Sequence, residues 1–207
     1  FLPPQFQRPI VFLVELLAAI PSVVYGLWGI FVLIPLLTPI GKWFNATLGW
    51  LPIFNTVPVG PGVYVAGLVL SIMILPIIAA IARDSLVAVP LELRQASYGL
   101  GATRWETIFQ VILPAAFSGI VGGVMLALGR AMGETMAVTM VIGNANVASP
   151  SILAQGSTVS SLLANQFAEA GGLQVSALMY AALILFGLTL LVNILAELLV
   201  RSVRLKL

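Results

Sequence analysis

Arg83-Asp-Ser-Leu-Val-Ala-Val-Pro-Leu-Glu-Leu-Arg-Gln-Ala-Ser-Tyr-Gly-Leu-Gly-Ala-Thr-Arg-Trp-Glu-Thr-Ile108 lies between two long apolar runs and carries Arg83, Arg94 and Arg104. Pro90 stands where a helix starts, because the first helical position needs no backbone N–H. Leu91 to Leu100 supply about three turns of helix. Gly99 and Gly101 offer a stop, since glycine accepts the left-handed conformation found after helix ends. Thr103-Arg-Trp-Glu106 then has the spacing of a capping box that opens a second helix. Leu93, Ala96 and Leu100 fall on one face. The stretch reads in two ways: a connector whose apolar face rests on the bilayer, or a helix–turn–helix knob that docks a cytoplasmic partner.

What lies on either side decides the class of protein. The 207 residues are 60% hydrophobic and 8% charged, with mean hydropathy +1.12. Soluble domains carry about 25% charged residues, and disorder requires low hydrophobicity and high charge. The composition excludes both and predicts an all-α polytopic membrane protein. The absence of Cys and His removes disulfides, thiolate metal sites and the commonest general base.

A crossing helix needs about 20 apolar residues. Spans are predicted over about 10–37, 62–82, 109–142 and 176–200, within a single domain covering 1–207. Arg8 precedes the first span, Arg83, Arg94 and Arg104 fall in the loop 83–108, and Arg201, Arg204 and Lys206 follow the last. The remaining loops hold only Lys42. The positive-inside rule makes both ends and the loop 83–108 cytoplasmic. In the outer loop, 157–167 reads as a short interfacial helix capped by Ser157 or Thr158. Trp28, Trp43, Trp50 and Tyr25 cluster toward the outer boundary as interfacial anchors.

Charges inside the apolar runs are few. Arg130 lies mid-span at a cost of about 2.5–3.5 kcal/mol on insertion scales. Glu134 is one turn on and shares its face at i,i+4. Either Arg130 contacts a permeating anion, with Glu134 competing for it and Thr135 lining the path, or the two form a structural pair between helices. A guanidinium matches phosphate oxygens bidentately. Gly119, Gly123, Gly129 and Gly133 form two small-xxx-small pairs suited to close packing. Glu15 is expected to make a polar interior contact or to act as a proton site. Glu197 is placed to pair with Arg201 at i,i+4.

Gln95-Ala-Ser97, three residues, Gly101, nine residues and Val111-Ile-Leu-Pro114 resemble the EAA signature of ABC-importer permeases, with Gln95 for Glu, Ser97 for Ala and Val111 for Ile. Ala18-Ala-Ile-Pro-Ser-Val-Val-Tyr-Gly-Leu-Trp-Gly29, Ala127-Leu-Gly-Arg-Ala-Met-Gly-Glu-Thr-Met-Ala-Val-Thr139, Ile142-Gly-Asn144 and Asn165-Gln-Phe-Ala-Glu-Ala170 look like the phosphate-specific ABC permeases, and more like the first, C-type subunit of that pair than the second. The resemblance covers nearly the whole chain. It implies a type I importer transmembrane domain. Family members have six spans, so the chain, which opens on Phe1, is expected to correspond to spans three to six.

The resemblance also implies partners: a second phosphate permease subunit, an ATP-binding cassette ATPase dimer meeting Glu92, Gln95, Ala96, Ser97, Gly101 and Arg104, and an extracytoplasmic phosphate-binding protein. The setting is the bacterial or archaeal plasma (inner) membrane and its lipid, with no nucleic acid. No Gly-Lys-Ser/Thr phosphate loop occurs, since the lysines are Lys42 and Lys206, so the chain is expected to hold no cofactor and to leave ATP hydrolysis to its partner. The rival readings are a sulfate- or molybdate-type permease, a proton-coupled secondary transporter using Glu15 or Glu134, and a scaffold subunit.

Overall fold

The computed structural model describes residues 4–204, with side chains described for residues 5 and 9–198. Phe1 and the side chains of Arg8, Arg201, Arg204 and Lys206, and with them the Glu197–Arg201 pair, lie outside the described residues. The chain is helical: α1 (Pro4–Ala19), α2 (Ser22–Leu48), α3 (Val63–Val87), α4 (Leu91–Gly99), α5 (Arg104–Gly133), α6 (Met136–Val141), α7 (Val159–Gln166) and α8 (Leu173–Arg204). Among the described residues, four stretches are long and apolar enough to cross a membrane: Ser22–Leu48, Val63–Val87, Arg104–Gly133 and Leu173–Leu198.

Two spans differ from the sequence expectation, and each difference has a local cause. The first, expected over 10–37, is interrupted at Ile20 and Pro21. Pro21 adopts φ −59°, ψ 140° and, lacking an N–H, starts α2 instead of continuing α1. Beyond it the helix runs on to Leu48 and takes in Lys42 and Trp43. The third, expected over 109–142, ends at Gly133, and α6 restarts at Met136. Glu134 and Thr135 in the gap are polar residues that bond locally to backbone, as described below.

Both long helices that contain a π-turn place it just before a proline. The wide turn of α2 spans Gly29–Leu33 and precedes Pro35. That of α5 spans Thr107–Ile112 and precedes Pro114. A proline ring clashes with the carbonyl four residues back. Those carbonyls belong to Phe31 and Gln110, inside the two wide turns, where widening moves them aside.

The chain packs as two compact units: residues 1–18, 74–130 and 189–207, and residues 19–73 and 131–188. In the first, Val89, Ile112 and Ala116 are buried, with Leu86, Ile108 and Ile120 packed around them. In the second, Tyr25 and Leu33 of α2, Val65 and Val69 of α3, and Ala137, Val138 and Val141 of α6 form the buried centre. Gly26 and Gly29 permit this approach. A Cβ at Gly26 would stand 2.6 Å from Met140 Sδ, and one at Gly29 would stand 2.7 Å from Val141 Cγ1.

The loops of the second unit are joined by backbone bonds. Val63 and Tyr64, whose N–H groups open α3 without an intrahelical acceptor, donate to the Ala154 and Ile152 carbonyls, each at 3.0 Å. Ile152 N–H in turn donates to Ile53 O at 3.0 Å. Thr158 is the cap of α7, in a capping box with Ser161, which decides between the two expected caps.

Candidate functional site

Within the first unit, residues 83–108 fold as the end of α3, the short helix α4 and the start of α5. α4 starts directly after Pro90 (φ −53°, ψ 140°). It stops through a Schellman turn: Ala102 N–H donates to Ser97 O at 3.2 Å and Gly101 N–H to Tyr98 O at 3.0 Å. Gly101 takes φ +84°, the left-handed value this turn needs. Gly99, also expected to form the stop, is instead the last helical residue. The capping box of α5 is complete: Thr103 N–H donates to Glu106 Oε2 at 2.7 Å, and Glu106 N–H donates to Thr103 Oγ1 at 3.4 Å.

This geometry sorts the proposed docking residues. Glu92, Gln95, Ala96, Gly101 and Arg104 are exposed, and Ser97 is buried. The predicted apolar face is the outward one, with Leu93 45% and Leu100 89% exposed. The inward face is polar. Ser97 and Thr107 hydroxyls meet at 2.9 Å in a buried contact, and Thr107 Oγ1 donates to Thr103 O at 3.1 Å. With that proton engaged, Ser97 is the donor of the buried pair.

Arg94, three residues before Ser97 and on the same side of α4, is half-buried, and its Nη2 donates to Leu86 O at 2.6 Å. Leu86 lies in the last turn of α3, whose final carbonyls lack intrahelical partners. Arg94 Nε is buried and has no hydrogen-bond partner among the described residues, a state that costs about 1–3 kcal/mol.

The in-span charges do not occupy one helical face. Arg130, in the last turn of α5, is exposed and makes no hydrogen bond or ion pair among the described residues. Glu134 lies past the end of α5, so the i,i+4 argument does not apply to it. Its Oε1 accepts from Ala137 N–H at 3.3 Å at the start of α6, and its carbonyl accepts from the Ser160 hydroxyl of α7 at 3.2 Å. Thr135 Oγ1 donates to Gly133 O at 3.1 Å, and Thr139 Oγ1 donates to Thr135 O at 2.7 Å. The break is thus closed by side chains bonding to backbone, the arrangement that lets a helix be interrupted at membrane depth.

The four glycines separate. Gly119 faces Ser85 and Gly123 faces Ile81, so α5 packs on α3 there. A Cβ at Gly129 would lie 3.3 Å from Asn193 Oδ1, while at Gly133 it would meet nothing within 4 Å.

Four features escaped the sequence reading. Ser160 supports the break from a separate helix, and nothing local signals it. Asn193 lines a groove of about 520 Å³ with Gly122, Gly129 and Glu197; a lone amide in an apolar helix was the available clue. Glu15 pairs with Arg83 at 3.6 Å, both side chains partly exposed, where an interior contact or proton site had been expected. Such an exposed pair contributes at most about 1 kcal/mol. Arg94 was read only as one more cytoplasmic charge, although its place one turn after Pro90 was visible.

The chain matches the family model described as "Binding-protein-dependent transport system inner membrane component" over residues 2–205. It is 46% identical over 209 residues to the phosphate transport system permease protein PstC of Pasteurella multocida, covering 99% of this chain and 65% of that protein. It is 48% identical over 207 residues to the protein of the same name from Haemophilus influenzae, covering 98% and 66%. The chain thus spans about two thirds of the length of these curated relatives. Among solved structures, inward-facing forms of the MetNI methionine ABC transporter are similar in fold, with TM-score 0.65 and 20% identity over 95% of this chain and 75% of that one. With four helices long and apolar enough to cross a membrane among the described residues, a fold similar to that of an ABC transporter and a family match over nearly its full length, this chain belongs to the binding-protein-dependent transport system inner membrane components.

Proposed function

We propose that the chain is a permease subunit of an ATP-driven importer of inorganic phosphate and forms half of the translocation pore. A second permease supplies the other half. An ATPase dimer binds on the cytoplasmic side, one copy against 90–107, and a phosphate-binding protein delivers the anion to the outer loops. ATP chemistry belongs to the ATPase. Closure of its dimer displaces α4 and switches the pore between outward and inward access. The setting is the plasma (inner) membrane of a bacterium or archaeon.

The observation that carries the importer reading is α4: a short helix fixed by polar contacts of Arg94 and Ser97 on its inner side, with Glu92, Leu93, Gln95 and Ala96 exposed. Phosphate as the cargo is supported by the curated relatives, named phosphate permeases over nearly the whole chain, and they do not favour the sulfate, molybdate or secondary-transporter readings. Arg130 is exposed and free of any described partner, which suits a cation that meets a passing anion and releases it. Glu134 is engaged at the start of α6 and acts here as a local cap.

The test is labelled phosphate uptake by the complete complex in proteoliposomes, with binding protein outside and ATP inside. Uptake is expected to need ATP and to resist sulfate and molybdate. Arg130→Gln is expected to lower it at least about tenfold, the loss of one charge-assisted bond to phosphate, with assembly intact. ATP-independent uptake would sink the importer reading, and normal uptake in Arg130→Gln would remove Arg130 from the path.

A further inference from the structure

We infer that Arg94 is a positioning residue: it ties α4 to the cytoplasmic end of α3, so that a displacement of the docking helix reaches the membrane span instead of dissipating in the turn between them. This rests on the importer reading and adds to it the residue through which force is passed.

The turn is Ala88, Val89 and Pro90, of which Val89 is buried and Ala88 and Pro90 are exposed. α4 is tied to α5 by the buried Ser97–Thr107 hydroxyl pair and by the Schellman turn that leads into Thr103, and the turn before α4 is seated on α5 through Val89 packed with Ile112 and Ala116. Toward α3, Leu86 packs against the cluster that includes Val89 of the turn, and the hydrogen bond that reaches α3 from α4 itself is Arg94 Nη2 to Leu86 O at 2.6 Å.

The need for that bond is written in the chain. In a continuing helix the Leu86 carbonyl would accept from residue 90, and residue 90 is proline, which has no N–H. Arg94 stands one turn further on and supplies the missing donor. Its positive charge also meets the negative end of the α3 dipole. The buried Nε means that the guanidinium is seated, since a side chain held only by solvent would leave that atom wet. Arg94 therefore stays with α3 when α4 is pushed. Its neighbours Gln95 and Ala96 face outward, so the tie and the docking face occupy opposite sides of one short helix, and removing the tie leaves the docking face in place.

The test uses the complete complex and reads phosphate imported per ATP hydrolysed. Arg94→Met keeps the apolar stem and removes the donors. ATPase is expected to co-purify in full and to keep hydrolysing, while phosphate moved per ATP falls about tenfold, the effect of one charge-assisted hydrogen bond on a two-state equilibrium. Arg94→Lys, whose ammonium reaches the same carbonyl, is expected to recover most of it. A purely structural role would lower hydrolysis and uptake together with the amount of complex.

The second measurement uses the absence of native cysteine: spin labels at Val87→Cys and Tyr98→Cys, both exposed. Their separation is expected to stay narrow and unshifted through the ATP cycle, and to broaden in Arg94→Met. Unchanged transport per ATP in Arg94→Met, a shift of the label distance during the cycle with Arg94 present, or equal distributions with and without it would each overturn the tie. If the unmodified complex moves no phosphate, the importer reading is what fails, and the label distances in the isolated subunit still judge Arg94.

Discussion

Gly99 and Gly101 are two residues apart in the same turn, yet their backbones differ in what they require. Gly101 is left-handed at φ +84°, and a Cβ there would meet nothing within 4 Å. Replacing it by Ala therefore raises only a backbone cost, about 1–2 kcal/mol. Gly99 is helical, and its Cβ would also meet open space. Gly99→Ala is expected to stabilise by up to about 1 kcal/mol through helix propensity. Thermal unfolding of the purified subunit in detergent should move in opposite directions for the two variants. Equal shifts would mean that the turn does not depend on the left-handed residue. The sequence could not separate the two glycines, because the stop is counted from where the helix actually ends. The buried hydroxyl pair belongs to the same scale: Ser97 stands where the family pattern has Ala, and the structure gives its hydroxyl a buried partner in Thr107.

At the scale of elements, local chemistry was legible and long-range packing was not. The capping box at Thr103 and the start of α4 after Pro90 follow from neighbours in sequence, and they form as the spacing predicts. The end of α5 at Gly133 does not follow from hydropathy, because the apolar run continues through Val138 to Ile142. The gap is held partly by Ser160, 26 residues further along the chain, a contact no window-based reading sees. The first span shifted for a reason the sequence did contain. Pro21 lies inside the apolar run 10–37, and hydropathy continues across it, whereas its missing N–H ends α1.

Small-xxx-small spacing marked the face of α5 without saying which glycines are filled from outside. Gly123 and Gly122 now separate. A Cβ on Gly123 would stand 2.7 Å from Ile81 Cγ2 and 2.9 Å from Ile81 Cβ, whereas one on Gly122 meets nothing within 4 Å. Gly123→Ala is expected to destabilise by about 1–3 kcal/mol through overpacking, and Gly122→Ala to be neutral or slightly stabilising. Unfolding midpoints in detergent would distinguish the pair. Tolerance at Gly123 would show that α5 is not seated on α3 at that depth.

At the scale of the whole molecule, the distribution of apolar surface matters more than its amount. Apolar side chains are exposed along the stretches long and apolar enough to cross a membrane, as for Phe31 at 73%, Leu126 at 63% and Phe186 at 69%, where a bilayer is an apolar surrounding for them. Leu100 is different. It is 89% exposed outside the crossing stretches, at the polar tip of a loop bounded by Arg94 and Arg104, where burying it would stabilise by about 1.5–3 kcal/mol. The proposed ATPase contact supplies that burial. Leu100→Glu should therefore leave the isolated subunit's stability within about 0.5 kcal/mol, as for most surface changes. The same variant should abolish co-purification of the ATPase and ATP-driven uptake together. Arg94→Met is expected to spare ATPase binding, so the two variants divide docking from transmission on either side of one helix. Retained ATPase binding in Leu100→Glu would move the docking surface away from this end of α4, toward Glu92 and Gln95 in its first two turns.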